Sequence, residues 1–233
     1  MSPRTEIGEA GVFRMALGPI ARRVLGKRLF HRISPHYRRI FVDLSEVART
    51  LDDHIPVGAH VLDVGGGDGA CLNALLERRT DLSATLIDLS PTIGDSLAID
   101  IRLRVKLLPK TSMRRFLADP ERSRFQVVLI SDVLHHVPSS DRAEFFSDLH
   151  HLIDSASPAI LVVKDVETFG LRANWSFLAD RYISGDRNVR LLSRQEVIGH
   201  VQTHCDARTV VETALYETDA PNYSLVFAAL RTS

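Results

Sequence analysis

"VLDVGGGDGAC", residues 61–71, places four glycines and two aspartates at the end of an apolar run. Glycine loses more backbone entropy on folding than any other residue, so it is favoured where φ must be positive or where another group approaches closely. The segment His60–Val64 before the glycines predicts a buried strand, and Leu72, Leu75 and Leu76 after them predict one face of a helix. The stretch therefore predicts a strand, a loop with a close approach, and a helix.

Further predicted strands and helices alternate along the chain. The predicted strands after the loop cover residues 83–88, 104–109, 125–132 and 158–166, followed by a hairpin of 208–217 and 223–230. An amphipathic helix is predicted within 139–155, and Ser193 with Glu196 forms a capping box that opens another helix. This alternation predicts an α/β fold, a doubly wound and mostly parallel sheet with helices on both faces. In such sheets ligands bind at the carboxyl ends of the strands, where the glycines lie.

Three kinds of ligand-binding loop compete for the glycines. A phosphate-binding P-loop needs a lysine that this stretch lacks. A dinucleotide-binding loop fits only with Ala70 in the place of the third glycine. The third spacing is Gly65-x-Gly67-x-Gly69, with an acidic residue, Asp63, two positions before the first glycine.

This third spacing resembles motif I of the class I S-adenosylmethionine-dependent methyltransferases, in particular the small-molecule enzymes similar to those of ubiquinone biosynthesis. The resemblance implies a seven-stranded sheet of order 3-2-1-4-5-7-6, with strand 7 antiparallel, and the terminal hairpin fits that feature. It implies one methyltransferase domain, 1–233, divided into a basic helical lid (1–57), a cofactor-binding core (58–166), an acceptor-pocket insertion (167–192) and a C-terminal helix and hairpin (193–233). The implied cofactor is S-adenosyl-L-methionine, which leaves as S-adenosyl-L-homocysteine.

The resemblance also implies cofactor-binding residues in the loop and after strands 2 and 4. They are Asp63, Gly65, Gly66, Gly67, Gly69, Asp88, Leu89, Ser112, Ser131, Asp132 and Val133. Asp63 is expected to favour the ammonium and sulfonium groups, and Asp88, at the tip of strand 2, to accept hydrogen bonds from both ribose hydroxyls. Ser112 stands where the family often has an acid for the adenine amine, which is a departure from the pattern.

The segment "SDVLHHVP", residues 131–138, carries the candidate base. A histidine can remove the proton of a hydroxyl acceptor near neutral pH, and the resemblance implies His136 as that base, oriented by Asp165 after strand 5. The residues expected to bind the acceptor are His135, Trp175, Phe177, Tyr182 and Arg187, of which all but His135 lie in the insertion. Adjacent parallel strands end side by side, so a hydrogen bond between His136 and Asp165 is expected.

The composition of the chain bears on its cellular compartment and on its possible binding partners. Its 233 residues include 45% hydrophobic and 25% charged side chains and two cysteines, Cys71 and Cys205, which suits a reducing cytoplasm. No Cys/His cluster has zinc-binding spacing, so no metal is expected. Residues 1–40 contain nine Lys or Arg against two Glu, which leaves peripheral membrane contact open besides a solvated lid. No nucleic-acid-binding module is recognisable, and the oligomeric state is open.

The sequence therefore predicts an S-adenosylmethionine-dependent methyltransferase that acts on a small organic acceptor, at a hydroxyl (O-methylation) or an activated carbon. Two other classes stay open. One is an NAD(P)-dependent oxidoreductase with a Rossmann-like fold, which the absent third glycine and the final hairpin disfavour. The other is a cofactor-binding protein without catalysis that serves as an interaction partner.

Overall fold

The computed structural model describes residues 48–49, 54–155, 160–166, 191–205, 207–213 and 222–229. Most of the predicted lid and insertion, including Trp175, Phe177, Tyr182 and Arg187, lies outside these residues. Within them, no helix is both long and apolar enough to cross a bilayer.

Seven strands and five α-helices make up the described part of the chain. The strands are β1 (His60–Val64), β2 (Ser83–Asp88), β3 (Val105–Pro109), β4 (Val127–Ser131), β5 (Ile160–Val166), β6 (Ala207–Thr213) and β7 (Asn222–Ala229). The helices are α1 (Ala70–Arg78), α2 (Ile99–Arg102), α3 (Met113–Ala118), α4 (Arg142–Ser155) and α5 (Arg194–His204). A short 3₁₀ turn, Leu134–His136, follows β4.

The described strands form one mixed sheet in the order β3-β2-β1-β4-β5-β7-β6. β1 to β5 are parallel, and β7 runs antiparallel to both β5 and β6. The predicted α/β class is confirmed, and the order of the described strands is the one that the resemblance implies. Because β1 lies between β2 and β4, the carboxyl ends of these three strands meet at one edge of the sheet.

Helices cover both faces of the sheet, which explains why the central strands are apolar throughout. On one face Leu62 and Val128 pack with residues of α3, α4 and α5, such as Phe146. On the other face Val61 packs with residues of α1 and α2, such as Leu75. Alternate residues of each strand therefore enter different cores, as the period of two dictates.

The predicted capping box of α5 is confirmed. Ser193 Oγ accepts a hydrogen bond from the Glu196 N–H, and the Glu196 carboxylate accepts one from the Ser193 N–H at 2.8 Å. These bonds satisfy N–H groups at the start of α5 that have no partner within the helix.

Candidate active site

The glycine loop, Gly65–Gly69, joins β1 to α1 in a backbone conformation that side chains disfavour. Gly65, Gly67 and Gly69 have φ values of 71°, 55° and 80°, in the left-handed region. A Cβ on Gly65 would lie 2.8 Å from Val133 Cγ2, and one on Gly66 would lie 2.1 Å from Asp63 Oδ2. The positive φ angles and the close packing therefore both require glycine in this loop, even without a bound ligand.

Asp88, at the end of β2, braces this loop. Its Oδ2 accepts a hydrogen bond from the Gly67 N–H at 2.9 Å, and its Oδ1 accepts one from the Ser90 N–H at 2.7 Å. Each carboxylate oxygen has a second lone pair, so the two contacts leave acceptor capacity for a ligand. The predicted position of Asp88 beside the loop is therefore seen, together with a structural role in holding it.

The segment after β2 supplies a second brace that the sequence did not reveal. The Gly94 N–H donates to Gly67 O at 3.0 Å, and the Ser96 N–H donates to Asp68 O at 2.8 Å. The Ser96 hydroxyl also donates to Asp68 Oδ2 at 2.9 Å. These bonds link residues far apart in sequence, so no local sequence pattern reveals them.

Asp63 lies beneath the loop and is only 1% exposed. Its Oδ1 accepts no hydrogen bond within the described part of the chain. Burial, followed by the charges of Asp88 and Asp68, raises the pKa of the Asp63 carboxyl to about 7. A cation bound at the loop would stabilise the ionised form of this carboxyl.

The connector, Ser131–His136, leaves β4 along the other side of the loop. Val133 abuts Gly65, and the Ser131 side chain lies beside the Cys71 thiol in the first turn of α1, with its hydroxyl donating to Asp132 Oδ2 at 3.4 Å. Asp132 has φ 57°, which a non-glycine residue seldom adopts. The connector is thus packed directly against the loop and the start of α1.

Lys164 and Asp165, at the end of β5, hold the connector from the opposite side. Lys164 Nζ donates to Asp132 Oδ1 at 2.5 Å and to Oδ2 at 2.7 Å. Asp165 Oδ2 accepts from the Leu134 N–H at 3.1 Å, and its Oδ1 is 2.5 Å from Nδ1 of His135. Consecutive strand residues face opposite sides of a sheet, so Lys164 and Asp165 contact the connector from the two faces of the sheet.

The buried histidine on Asp165 is His135, which corrects the predicted pairing of Asp165 with His136. His135 is 2% exposed, whereas His136 is exposed to solvent. Successive residues of a 3₁₀ turn point about 120° apart, so only one of two adjacent histidines can face β5. The role of His136 as the base stays a prediction, but the carboxylate expected to orient it, that of Asp165, contacts His135 instead.

The other predicted residues fall in different surroundings. Leu89 is 74% exposed beside Asp88, and its predicted contact with the cofactor stays a prediction. Ser112 is the N-cap of α3, where its Oγ accepts from the Arg115 N–H at 3.2 Å, so its hydroxyl has a structural task that the sequence did not assign to it. Within the described ranges, no group of three or more His, Cys, Asp or Glu residues could hold a metal ion.

Comparison with known proteins agrees with this geometry. The model of a family described as "Methyltransferase domain" matches residues 62–155, which contain the glycine loop, Asp88 and the connector. No curated protein matches the chain in sequence.

Solved structures share the fold at low sequence identity. An O-methyltransferase family protein from Burkholderia thailandensis is 18% identical, with a TM-score of 0.67 over 94% of this chain and 65% of the other. An O-methyltransferase family 2 protein from Planctomyces limnophilus, in complex with apigenin, is 20% identical, with a TM-score of 0.58 over 81% and 62%. NcsB1, an O-methyltransferase from neocarzinostatin biosynthesis, was solved with S-adenosylmethionine and 2-hydroxy-5-methyl naphthoic acid and is 19% identical, with a TM-score of 0.60 over 89% and 60%. The chain thus spans less than two thirds of the length of each.

Proposed function

We propose, since residues 62–155 match the model of a family described as "Methyltransferase domain", that the chain transfers a methyl group from S-adenosylmethionine to a hydroxyl of a small aromatic acceptor. The observation that carries this proposal is the buried contact of His135 with Asp165 beside the glycine loop. The glycine loop and an oriented imidazole lie at the carboxyl ends of neighbouring strands, which supports the proposal. An activated carbon is the second candidate for the methylated atom, because its reaction can use the same base.

The residues around the loop fit the cofactor better than they fit a dinucleotide. Asp63, Asp68 and Asp88 interact electrostatically at the loop, and Asp63 Oδ1 has no hydrogen-bonding partner among the described residues. Three carboxylates would repel a pyrophosphate, whereas they favour a ligand that carries an ammonium and a sulfonium. This charge disfavours the NAD(P)-dependent alternative.

The reaction needs a base, an aligned acceptor and little else from the protein. When bound, the cofactor would supply a methyl group on a sulfonium, so that the C–O bond would form as the C–S bond breaks and its electron pair stays on sulfur. Asp165 accepts from the Nδ1–H of His135 and so leaves Nε2 as the basic nitrogen. The hydroxyl proton passes to Nε2, and the Asp165 carboxylate stabilises the imidazolium that forms. Alignment of the three reacting atoms supplies much of the remaining acceleration.

The acceptor class is supported by the similar structures. The protein from Planctomyces limnophilus was solved with apigenin and NcsB1 with a hydroxylated naphthoic acid, both of which are aromatic and hydroxylated. A small aromatic hydroxyl compound is therefore the first class of acceptor to test here.

Calorimetry and a methyl-transfer assay test the proposal together. We expect the protein to bind S-adenosylhomocysteine and not NADH, and to move radiolabel from methyl-labelled S-adenosylmethionine to members of a panel of hydroxylated aromatic compounds. Binding of NADH alone would favour the oxidoreductase. Binding of S-adenosylhomocysteine without label transfer to any hydroxyl, amine or carbon acceptor of the panel would favour the protein without catalysis.

Replacing Asp88 by alanine should weaken binding of S-adenosylhomocysteine by roughly 10- to 100-fold, the effect of losing charge-assisted hydrogen bonds. The variant loses the proposed ribose contact and also the brace on the Gly67 N–H. Titration calorimetry measures the change, and Asp95→Ala, which removes an exposed aspartate of the same segment, is the matched control. Equal affinities of the Asp88 and Asp95 variants would show that Asp88 does not face the cofactor.

Binding of S-adenosylhomocysteine should strengthen as the pH rises through about 7, the pKa of buried Asp63. The cofactor ammonium favours ionised Asp63, so binding releases a proton and affinity grows while the free protein is still protonated. Fluorescence or calorimetric titrations at half-unit steps across neutrality measure the profile. Asp63→Asn should flatten it, and a wild-type profile as flat as that of the variant contradicts the assignment.

A further inference from the structure

The ion pair of Lys164 and Asp132 is the one buried charge arrangement beside the loop, in the described residues, that the proposed reaction leaves unused. Lys164 is 1% exposed, and its Nζ contacts both oxygens of Asp132, whose side chain is 42% exposed. Lys164 also holds the Asp132 backbone, because its carbonyl oxygen accepts from the Asp132 N–H at 2.9 Å. The Asp132 carboxylate is therefore fixed by Lys164 on one side and exposed to solvent on another.

Stability alone does not account for this pair. Removing a lysine from water costs free energy that an ion pair repays only partly, and apolar residues of similar volume are often as stable. Asp132 also adopts φ 57°, a conformation that persists only where the surroundings enforce it and that clusters at functional sites. A paired, backbone-anchored carboxylate in this conformation is costly, which points to a task in binding.

The strand order sets where that task lies. Asp88 follows β2 and Asp132 follows β4, so the two carboxylates flank the glycine loop, which follows β1 between them. If Asp88 holds the ribose, an extended cofactor that crosses the loop has its amino-acid end beside Asp132. Val133 packs against Gly65 and Ser131 lies beside Cys71, so the connector that carries Asp132 is held next to the loop.

Asp63 is poorly placed for a direct contact with the same end. Its carboxylate lies under Gly66 and is 1% exposed, so the loop backbone separates it from the cleft. Asp63 acts on a bound cation through its field, whereas Asp132 has an exposed carboxylate surface. Asp63 and Asp132 thus have different roles: Asp63 stabilises a bound cation electrostatically, and Asp132 is placed for a direct contact.

We propose that Lys164 is a positioning residue: it holds Asp132, which the resemblance already implies as a cofactor-binding residue, so that the Asp132 carboxylate accepts a hydrogen bond from the cofactor ammonium. The inference rests on the proposed function, because it assumes S-adenosylmethionine as the ligand. In this proposal the ion pair of Lys164 and Asp132 recognises the amino-acid end of the ligand.

Two probes isolate this contact. S-adenosylhomocysteine carries the ammonium, whereas 5′-methylthioadenosine has the same nucleoside and sulfur but lacks the amino-acid end. We expect Asp132→Asn to weaken the binding of S-adenosylhomocysteine by about 10- to 100-fold, the usual effect of losing a hydrogen bond to a charged group. The binding of methylthioadenosine should weaken by less than about twofold. Asp148→Asn, which removes an ion-paired aspartate from α4, is the control for net charge.

A double variant guards against loss of folding and tests the positioning role. Asp132→Asn leaves Lys164 buried without its carboxylate partner, whereas Lys164→Met with Asp132→Asn removes both charges at nearly constant volume. The double variant should keep the thermal transition and still lose the preference for S-adenosylhomocysteine over methylthioadenosine. Lys164→Met alone should reduce that preference, with no further loss in the Asp132→Asn background, a non-additivity that a purely structural role would not produce.

The outcomes separate the inference from the proposed function. If the wild type binds neither probe, the proposed function fails. If the wild type binds S-adenosylhomocysteine and the folded double variant keeps the wild-type preference, Asp132 does not receive the ammonium and only the inference is overturned.

Discussion

Replacing His135 by alanine should lower turnover by about 10²- to 10⁴-fold while the affinity for S-adenosylhomocysteine stays within about twofold of wild type, because a general base contributes to the reaction rather than to cofactor binding. The measurement is kcat with an acceptor identified in the methyl-transfer panel. His136→Ala is the matched control: it removes the neighbouring imidazole, which is exposed, and should cost less than about tenfold.

Asp165 should behave as one unit with His135. Its two oxygens serve the Leu134 N–H and His135 Nδ1 at once, and an asparagine has only one acceptor oxygen for these two donors. Asp165→Asn should therefore lower kcat, and the double variant with His135→Ala should be no slower than His135→Ala alone. A larger loss in His136→Ala than in His135→Ala would return the base to the residue that the sequence predicts.

Replacing Gly66 by alanine should abolish measurable cofactor binding and lower the free energy of unfolding by about 1–3 kcal/mol, the range for overpacking in a well-packed region. The new Cβ would lie 2.1 Å from Asp63 Oδ2 and 2.6 Å from its Cγ, so the buried carboxylate or the loop backbone must move. Chemical denaturation and titration of S-adenosylhomocysteine measure the two effects.

A second glycine gives a control of opposite sign. Gly199 lies in α5, and a Cβ there would meet nothing within 4 Å. Gly199→Ala should raise the free energy of unfolding by about 0.5–1 kcal/mol, since alanine favours the helix. Asp63→Ala should relieve part of the loss in Gly66→Ala, and strictly additive losses would place the cause elsewhere in the loop.

The sequence predicted the central strands well because local and tertiary preferences agree there. The segment 83–88 was predicted as a strand and is β2, Ser83–Asp88, with a buried apolar middle. The position of Asp88 beside the loop followed from the same agreement, since parallel strands end at a common edge. The capping box of Ser193 was equally local and equally predictable.

The details of the site depended on orientation, which the sequence does not carry. Which of His135 and His136 faces β5 is decided by the phase of a single 3₁₀ turn, and no periodicity extends over so short a segment. The motif placed Asp63 near the cofactor but not beneath the backbone of Gly66. The pairing of Lys164 with Asp132 could not be read from the sequence, because the two residues lie 32 positions apart, at the ends of different strands.

The antiparallel pairing of β5 with β7 has a consequence for biosynthesis. In the register of β5 and β7, Lys164 lies opposite Ser224 and Asp165 lies opposite Tyr223. The strand β5, which carries Lys164 and Asp165, is therefore flanked by β4 on one side and by β7 on the other. A ribosome-bound chain that has exposed β5 but not yet Asn222–Ala229 holds that strand at an open edge, with one of its two neighbours absent. β5 therefore gains its second neighbour only late in translation, and we expect products truncated before β7 to hold Lys164 and Asp165 less firmly against the connector.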